Sequence, residues 1–214
     1  MKKKSIIAIV VILLVILIDQ VVKYTVKTGM LLHEQVSVTS WFKIFFTENQ
    51  GMAFGMDFVG TMLLTLFRVV AIVFFVIYLA RLVKRDASFL TVVCLSLIIA
   101  GALGNVIDNC FYGLIFTESP EAFTFGTPAQ LVGIGQGYGS FLSGKVVDMF
   151  YFPLWQWPEW MPLIGGHTFF NAVFNVADAA ITCGAIVLLV SYYLKMWRTP
   201  KSKQSTPDTP ESAA

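Results

Sequence analysis

One stretch of the chain decides the class of fold: Phe174-Asn175-Val176-Ala177-Asp178-Ala179-Ala180-Ile181. It lies at the start of an apolar run, about 171–197, that is long enough for a membrane span of roughly 20 residues. An ionised carboxylate in the hydrocarbon core costs at least about 2.5–3.5 kcal/mol on insertion scales. Asp178 is therefore expected to be paired, to line a wet cavity or to take part in chemistry.

The composition is that of an integral membrane protein. Hydrophobic residues make up 57% of the 214 residues and charged residues only 13%, which is too apolar for an ordinary soluble domain. Apolar runs predict four transmembrane helices, at about 5–27, 61–83, 87–111 and 171–197. The net charge of +2 gives no basis for nucleic-acid binding, and the three cysteines form no CxxC motif. Neither a disulfide framework nor a zinc site is expected.

Basic residues at the ends of the spans predict the orientation. They cluster at 2–4, 81–85 and 195–203, and the positive-inside rule puts such clusters in the cytoplasm. Both termini are then cytoplasmic, and the two longer loops, about 28–60 and 112–170, lie outside. Residues 1–198 are predicted to form a single membrane domain, and the tail at 199–214, rich in Pro, Ser and Thr, is predicted to be disordered.

The two outer loops differ in character. Residues 35–46 are β-branched and aromatic with partial alternation, which predicts short strands. Residues 117–144 are rich in Gly, Pro and Ser and are expected to be irregular, whereas Trp155, Trp157 and Trp160 are typical of a segment at the lipid headgroups. The predicted fold class is an all-α integral membrane protein with an extended, partly helical outer loop.

This topology brings four acidic residues to the outer face of the membrane: Asp19, Asp108, Asp148 and Asp178. Two carboxylates close together can share one proton, so that one activates a water and the other protonates a leaving amine. Asn105 and Asn175 each precede an aspartate by three residues, the spacing of one helix face. Their amides could donate to a carboxylate or to a substrate carbonyl.

Other interpretations of these residues stay open. Polar side chains in spans also join helices to one another, and intramembrane acids also serve non-enzymatic transporters and proton-coupled carriers. A relay needs acids through the whole membrane depth, however, and the cytoplasmic half of these spans has none. His33 and His167 lack a partner at i+3 or i+4, which argues against a metalloprotease. Ser143 and Lys145 offer a hydroxyl and an amine, but in a flexible loop.

Five sequence blocks resemble, in order, those of the bacterial lipoprotein signal peptidases (signal peptidase II). The blocks are Asp19-Gln20-Val21-Val22-Lys23, Asn49-Gln50-Gly51-Met52-Ala53-Phe54-Gly55, Gly101-Ala102-Leu103-Gly104-Asn105-Val106-Ile107-Asp108, Val146-Val147-Asp148-Met149-Phe150 and Phe174-Asn175-Val176-Ala177-Asp178. The resemblance implies an aspartic endopeptidase of the bacterial cytoplasmic membrane, with four transmembrane helices and a small extracytoplasmic β-cradle. The implied substrate is a prolipoprotein whose cysteine carries diacylglycerol, cut on the amino side of that cysteine without a cofactor.

The resemblance also implies roles for individual residues. Asp148 and Asp178 match the catalytic pair. The polar residues that line the site and hold the substrate or the pair are matched by Asp19, Lys23, Asn49, Asn105, Asp108 and Asn175, and the small positions by Gly51, Gly104 and Ala177. Inhibition by the cyclic peptide globomycin is implied as well. We expect a monomer in contact with membrane lipids and no nucleic-acid partner.

The chain departs from the family pattern in two ways. Asn109 stands where the family typically has arginine, and Arg68, inside the second span, is a candidate replacement or a separate partner for an acid. The segment 110–144 and the segment between Asp148 and Asp178 are also longer than the compact family connections. These insertions are either a lid or partner surface, or tolerated surface loops.

Overall fold

The computed structural model describes residues 2–49 and 58–198. Four helices in these ranges are long and apolar enough to cross a membrane, as predicted. They are α1 (Lys2–Gly29), α2 (Phe58–Lys84), α3 (Phe89–Ile107) and the last helix, α5 (Val176–Arg198). The predicted disordered tail at 199–214 and the small position Gly51 lie outside the described residues.

The third span is longer than α3 itself. It continues through a π-helical turn, Asp108–Tyr112, and a short α4, Gly113–Ile115, so that one apolar segment runs from Phe89 to Ile115. Single π-helical turns are rare and often mark functional sites. Here the turn begins at Asp108, one of the four acids. The predicted outer loop from about residue 112 is helical only in this first part; the chain from 117 to 145 is irregular.

Helix α3 lies at the centre of the helical layer. It packs against α1, α2 and α5, whereas α2 and α5 scarcely touch each other. Its N-terminal half contributes Val92, Leu95 and Ile99 to a core shared with α1 and α2. The outward faces of the other three helices are apolar and exposed, as expected of surfaces covered by lipid.

A small antiparallel sheet lies at one end of the helices. Its order is β1-β2-β3-β6, with β1 at Gln35–Ser37, β2 at Lys43–Asn49, β3 at Val146–Tyr151 and β6 at Val173–Phe174. The fold class predicted from the sequence is thus confirmed in its four helices and its small sheet. A second pair, β4 (Trp155–Gln156) and β5 (Thr168–Phe169), forms a separate hairpin in which Trp155 stacks on Phe169 with ring centroids 3.9 Å apart.

The loop at 117–145 is docked on the sheet end of the molecule. Lys27, near the end of α1, is fully buried and pairs with Glu48 of β2 at 2.5 Å, and its amine also donates to Ser119 of the loop at 3.0 Å. The rings of Phe116 and Tyr138 lie over the same amine. A buried ionic contact therefore ties three separate segments together, and the base of this loop is part of the packed structure.

Candidate active site

Asp148 is held in the middle of the sheet. It lies on β3, paired in register with Thr47 of β2, and it is 4% exposed. Its Oδ1 accepts a 2.6 Å hydrogen bond from the side-chain amide of Asn175, and Asn49 is a further side-chain partner. Burial raises the pKa of Asp148 to about 7, and the nearby Asp178 adds to the rise. Asp148 therefore retains a proton far more readily than an ordinary aspartate.

Asp178 sits in the first turn of α5, where the sequence forms a reciprocal cap. The Oδ1 of Asn175 accepts from the backbone N–H of Asp178 at 2.9 Å, and the Asp178 carboxylate accepts from the backbone N–H of Asn175 at 3.4 Å. This is the capping-box arrangement, with asparagine and aspartate in its two roles. Helix α5 therefore begins at Val176, about five residues later than the sequence predicts, because Asn175 caps it and Val173–Phe174 pairs with β3.

A single asparagine thereby joins the two carboxylates. The Oδ1 of Asn175 caps the turn that carries Asp178, while its Nδ2 donates to Asp148. Asn105 of α3 approaches from the other side and donates to Asp178 Oδ1 at 2.8 Å. The amide of Asn175 also lies 3.2 Å from Asn105 Oδ1. The four side chains form one connected group at the junction of the sheet, α3 and α5.

Beneath this group lies a buried cation, Lys23. Its amine is 2.7 Å from Asp108 and 2.9 Å from Asp19, and it donates to Asn105 Oδ1 at 2.8 Å. The side chains of the lysine and both aspartates are fully buried. The two aspartates have structural acceptor roles too, since Asp19 accepts from the backbone N–H of Ala177 at 2.8 Å and Asp108 from that of Val147 at 3.4 Å. Asp19 and Asp108 thus act beside Lys23 as supports for α5 and β3.

The small residues of α3 permit this close approach. A Cβ atom on Gly104 would lie 2.6 Å from Asp19 Oδ2 and 3.2 Å from the Ala177 side chain, and one on Gly101 would meet the Ala177 carbonyl oxygen. Gly104 and Ala177 therefore fill the role of small positions, where added bulk would separate α3 from α1 and α5.

An open cleft of about 510 Å³ reaches Asp148 from the side of the sheet. Its lining residues are Leu32, His33, Thr47, Glu48, Asn49, Lys145, Asp148 and Val173. Asp148, one member of the pair formed with Asp178 (together called the dyad below), is therefore accessible to a bound chain. Lys145 is paired with Glu118 at 2.5 Å, and Ser143 Oγ donates to the Ser140 carbonyl. Neither side chain is arranged as the nucleophile–base pair considered from the sequence.

Comparison with known proteins identifies the family to which this chain belongs. The family model described as signal peptidase (SPase) II matches residues 11–194. The chain belongs to the signal peptidase II family. A lipoprotein signal peptidase of Porphyromonas gingivalis is 48% identical over 186 residues, which cover 85% of this chain and 80% of the relative. One of Amoebophilus asiaticus is 36% identical over 188 residues, covering 83% of this chain and 74% of the relative.

Solved structures agree on the fold. Two bacterial membrane enzymes, each 24% identical in sequence, superpose with TM-scores of 0.55 and 0.54. The first match covers 93% of this chain and 94% of the enzyme, the second 86% and 91%. The four-helix and sheet architecture of this signal peptidase II family member is therefore shared with proteins that are distant in sequence. As a family member with four such helices, it is a multi-pass membrane peptidase.

Several polar residues around the two carboxylates have contacts that the sequence alone does not predict. Gln20 donates to Asp108 Oδ1 at 2.9 Å and lies 3.2 Å from Asp19, so it joins the group around Lys23. Lys27 anchors the loop at 117–145. A spacing signal was available for it, since Asp19, Lys23 and Lys27 follow one another at intervals of four on one face of α1.

The structure also shows the contacts of Asn109, which stands where the family typically has arginine, and of Arg68. Asn109 is buried, and its Oδ1 accepts a 2.9 Å hydrogen bond from Arg68 of α2. Its Nδ2 donates to the Gly144 carbonyl at 2.8 Å, two residues before β3. Arg68 thus reaches the end of α3 from the neighbouring helix, and its contact there is an amide, while Asp178, Asp148 and Asp108 interact with it electrostatically at longer range.

Proposed function

We propose that this chain removes the signal peptide from diacylglyceryl-modified prolipoproteins, cutting on the amino side of the lipidated cysteine with Asp148 and Asp178 as the catalytic pair. The observation that carries the assignment is the link through Asn175, which holds one carboxylate on the sheet and the other on α5 beside an open cleft. Family membership supports the activity.

The two environments suggest different roles for the two acids. Asp148 is buried with a pKa of about 7, so it starts as the protonated acid and donates a hydrogen bond to the scissile carbonyl. Asp178 lies at a helix N-terminus, and its carboxylate oxygens accept hydrogen bonds from the N–H groups of Asn105 and Asn175. Asp178 therefore starts as the base that receives a proton from the attacking water.

The reaction then balances through the pair. The water oxygen bonds to the carbonyl carbon as Asp178 takes its proton, and Asp148 gives its proton to the carbonyl oxygen. Asp178 next donates its proton to the amine nitrogen of the cysteine as the carbon–nitrogen bond breaks, while Asp148 recovers a proton from the collapsing hydroxyl. The pair ends in its starting protonation state, as general acid–base catalysis requires.

The arrangement of the helices supports a route for the substrate. Because α2 and α5 both pack on α3 but scarcely touch each other, the signal helix can lie between them with its lipid in the bilayer. We propose a monomer in the bacterial cytoplasmic membrane, with both termini in the cytoplasm and the dyad toward the outer face. A globomycin-type cyclic peptide would occupy the dyad and compete with the precursor.

The experiment compares matched Asp→Asn variants of the full chain. Asp148→Asn and Asp178→Asn should each abolish cleavage of a lipidated precursor, because the dyad then lacks its acid or its base. Asp86→Asn, an exposed residue of the α2–α3 connection, should cleave normally. The measurement is a gel shift of lipidated and non-lipidated precursor with and without globomycin, alongside thermal unfolding in detergent. Near-normal turnover by either dyad variant would refute the assignment.

A further inference from the structure

Arg68 is the feature of the spans that the dyad mechanism leaves unexplained. It lies in the first half of α2, whereas the other basic residues of that helix, Arg81 and Lys84, are in its last turn. An arginine within a span is costly and marks a functional site by default, with a partner to be named. A structural role would require its donors to be satisfied within the protein.

The position of Arg68 directs it toward the dyad. Thr65 and Ile72, one turn before and after it, are buried, and Ile72 packs on Val106 of α3. Arg68 therefore shares the face of α2 that meets α3, and it is only partly buried. Side chains on a helix tilt toward its N-terminus, and the N-terminal end of α2 is the end that carries the sheet.

Within the described residues, the hydrogen bonding of the Arg68 guanidinium is incomplete. A guanidinium has five N–H donors, and among the described residues Arg68 makes one hydrogen bond, to Asn109 Oδ1. Asn109 is itself fixed by its bond to the Gly144 carbonyl, so the guanidinium has a defined place. No ion pair joins it to an acid of the described ranges, although Asp178 and Asp148 are among its electrostatic partners. Within the described ranges the remaining donors have no protein acceptor, so a ligand can supply one.

The neutral contact with Asn109 has a chemical consequence. A guanidinium bound directly to the dyad would favour the ionised form of both carboxylates, and the shared proton would be lost. Because Arg68 is hydrogen-bonded to the Asn109 amide and not to the dyad, it can contact a substrate beside the dyad without pairing with either carboxylate.

We propose that Arg68 is a substrate-binding residue whose open N–H groups donate to a carbonyl oxygen of the bound precursor. The inference rests on the proposed function, since it takes the lipidated precursor as the ligand. Two sources share this chemistry: a peptide carbonyl of the signal segment, and an ester carbonyl of the diacylglyceryl group. Both are uncharged acceptors in a medium where a charge-assisted hydrogen bond is strong.

The test measures steady-state kinetics of Arg68→Gln, Arg68→Lys and the matched control Arg81→Gln. Arg68→Gln should raise KM by about 10- to 100-fold, the range expected for losing a hydrogen bond to a charged group, with kcat nearly unchanged. Arg68→Lys should recover part of the loss, because it restores the charge without the planar fork. Arg81→Gln, at the other end of α2, should leave both constants unchanged.

Two lipidated substrates separate the two acceptors: one with a diacyl glyceryl group and one with the corresponding dialkyl ether, which has no ester carbonyl. If the ester is the acceptor, the penalty of Arg68→Gln vanishes with the ether substrate; if a peptide carbonyl is the acceptor, the penalty is equal for both. Either result supports the proposal.

An unchanged KM in Arg68→Gln would overturn the proposal. A loss of kcat alone, accompanied by a shifted pH profile, would overturn it as well, since Arg68 would then act on the charge of the dyad. A lowered melting temperature that accounts for the lost activity, with KM of the folded fraction unchanged, would show a structural role. Failure of the proposed function is distinct, because the unmodified chain would then cleave neither substrate.

Discussion

Asn175 connects Asp148 and Asp178, which the proposed mechanism requires to play different roles, one as acid and the other as base. Its amide nitrogen donates to Asp148 and its amide oxygen caps the turn of Asp178, so one side chain fixes the sheet and the helix relative to each other. The hydrogen bond to Asp148 lowers the pKa of that carboxyl, and burial, the larger effect, raises it to about 7. The acid is thereby poised near neutral pH.

The first prediction concerns the dependence of the rate on pH. As the pH rises through about 7, Asp148 loses the proton that it donates to the scissile carbonyl, so kcat/KM should fall on the alkaline side. The same shift affects stability: since the pKa in the folded state lies above the ordinary value, this group's contribution is present at acid pH and lost as the pH rises through about 7. Melting temperatures at about pH 6 and pH 8 should differ less in Asp148→Asn than in the unmodified chain. An equal difference would contradict the shifted pKa.

The second prediction concerns Lys23. Replacing it with Met leaves Asp19 and Asp108 buried without their cation, and breaking a buried ion pair from one side costs about 3–5 kcal/mol. The control is Lys4→Met, which removes the pair with Asp86, whose side chain is 79% exposed; because water screens this pair, the variant should change stability far less than Lys23→Met. Thermal unfolding in detergent measures both. Equal melting temperatures would show that the cluster around Lys23 does not stabilise the fold.

At the scale of elements, the close approach of α3 to α1 and α5 depends on glycine. Gly104→Ala would set a methyl group 2.6 Å from Asp19 Oδ2, and that carboxylate is already held by Lys23 and by the Ala177 N–H. We expect a loss of about 1–3 kcal/mol, as for other overpacked sites, and a parallel loss of activity.

Gly29→Ala is the matched control for this third prediction. It also adds a methyl group to a helical glycine, but nothing lies within 4 Å of it. Gly29 is the last residue of α1, where alanine gains less helix propensity than at the interior position 104, so a lower melting temperature of Gly104→Ala than of Gly29→Ala reports the contact at Gly104. A Gly104→Ala protein as stable and active as Gly29→Ala would contradict the packing argument.

The helices and the contacts between them show which features of the fold can be predicted from the sequence. Hydropathy is enough to predict the four spans, because an apolar run of this length has few alternatives. The sequence blocks predict which residues meet, and Asp19, Lys23, Asn105, Asp108 and Asn175 do lie together. The start of α5 is missed, since an apolar run gives no sign that Asn175 caps the helix. Arg68 is missed as the partner of Asn109 because pairing between two spans depends on helix rotation, which composition does not specify.

At the scale of the whole molecule, the polar residues collect at one end. The dyad, the cluster around Lys23, the sheet and the loop at 117–145 all lie at the end opposite Lys4 and the α2–α3 connection. The basic residues Arg81, Lys84 and Arg85 mark that opposite end. The positive-inside rule predicts that the basic end faces the cytoplasm and that the dyad faces out, the side on which the proposed precursor would present its cleavage site.

The last prediction tests this orientation by cysteine labelling in sealed spheroplasts. In a background with Cys183→Ala, the remaining cysteines, Cys94 and Cys110, are buried. Thr127→Cys, on the exposed surface of the loop at 117–145, should react with a membrane-impermeant maleimide, whereas Asp86→Cys should react only after permeabilisation. The reverse pattern would place the dyad in the cytoplasm, before a precursor crosses the membrane. Because the proposed substrate carries its lipid in the bilayer and its cleavage site outside, that result would remove the physical basis for the proposed reaction.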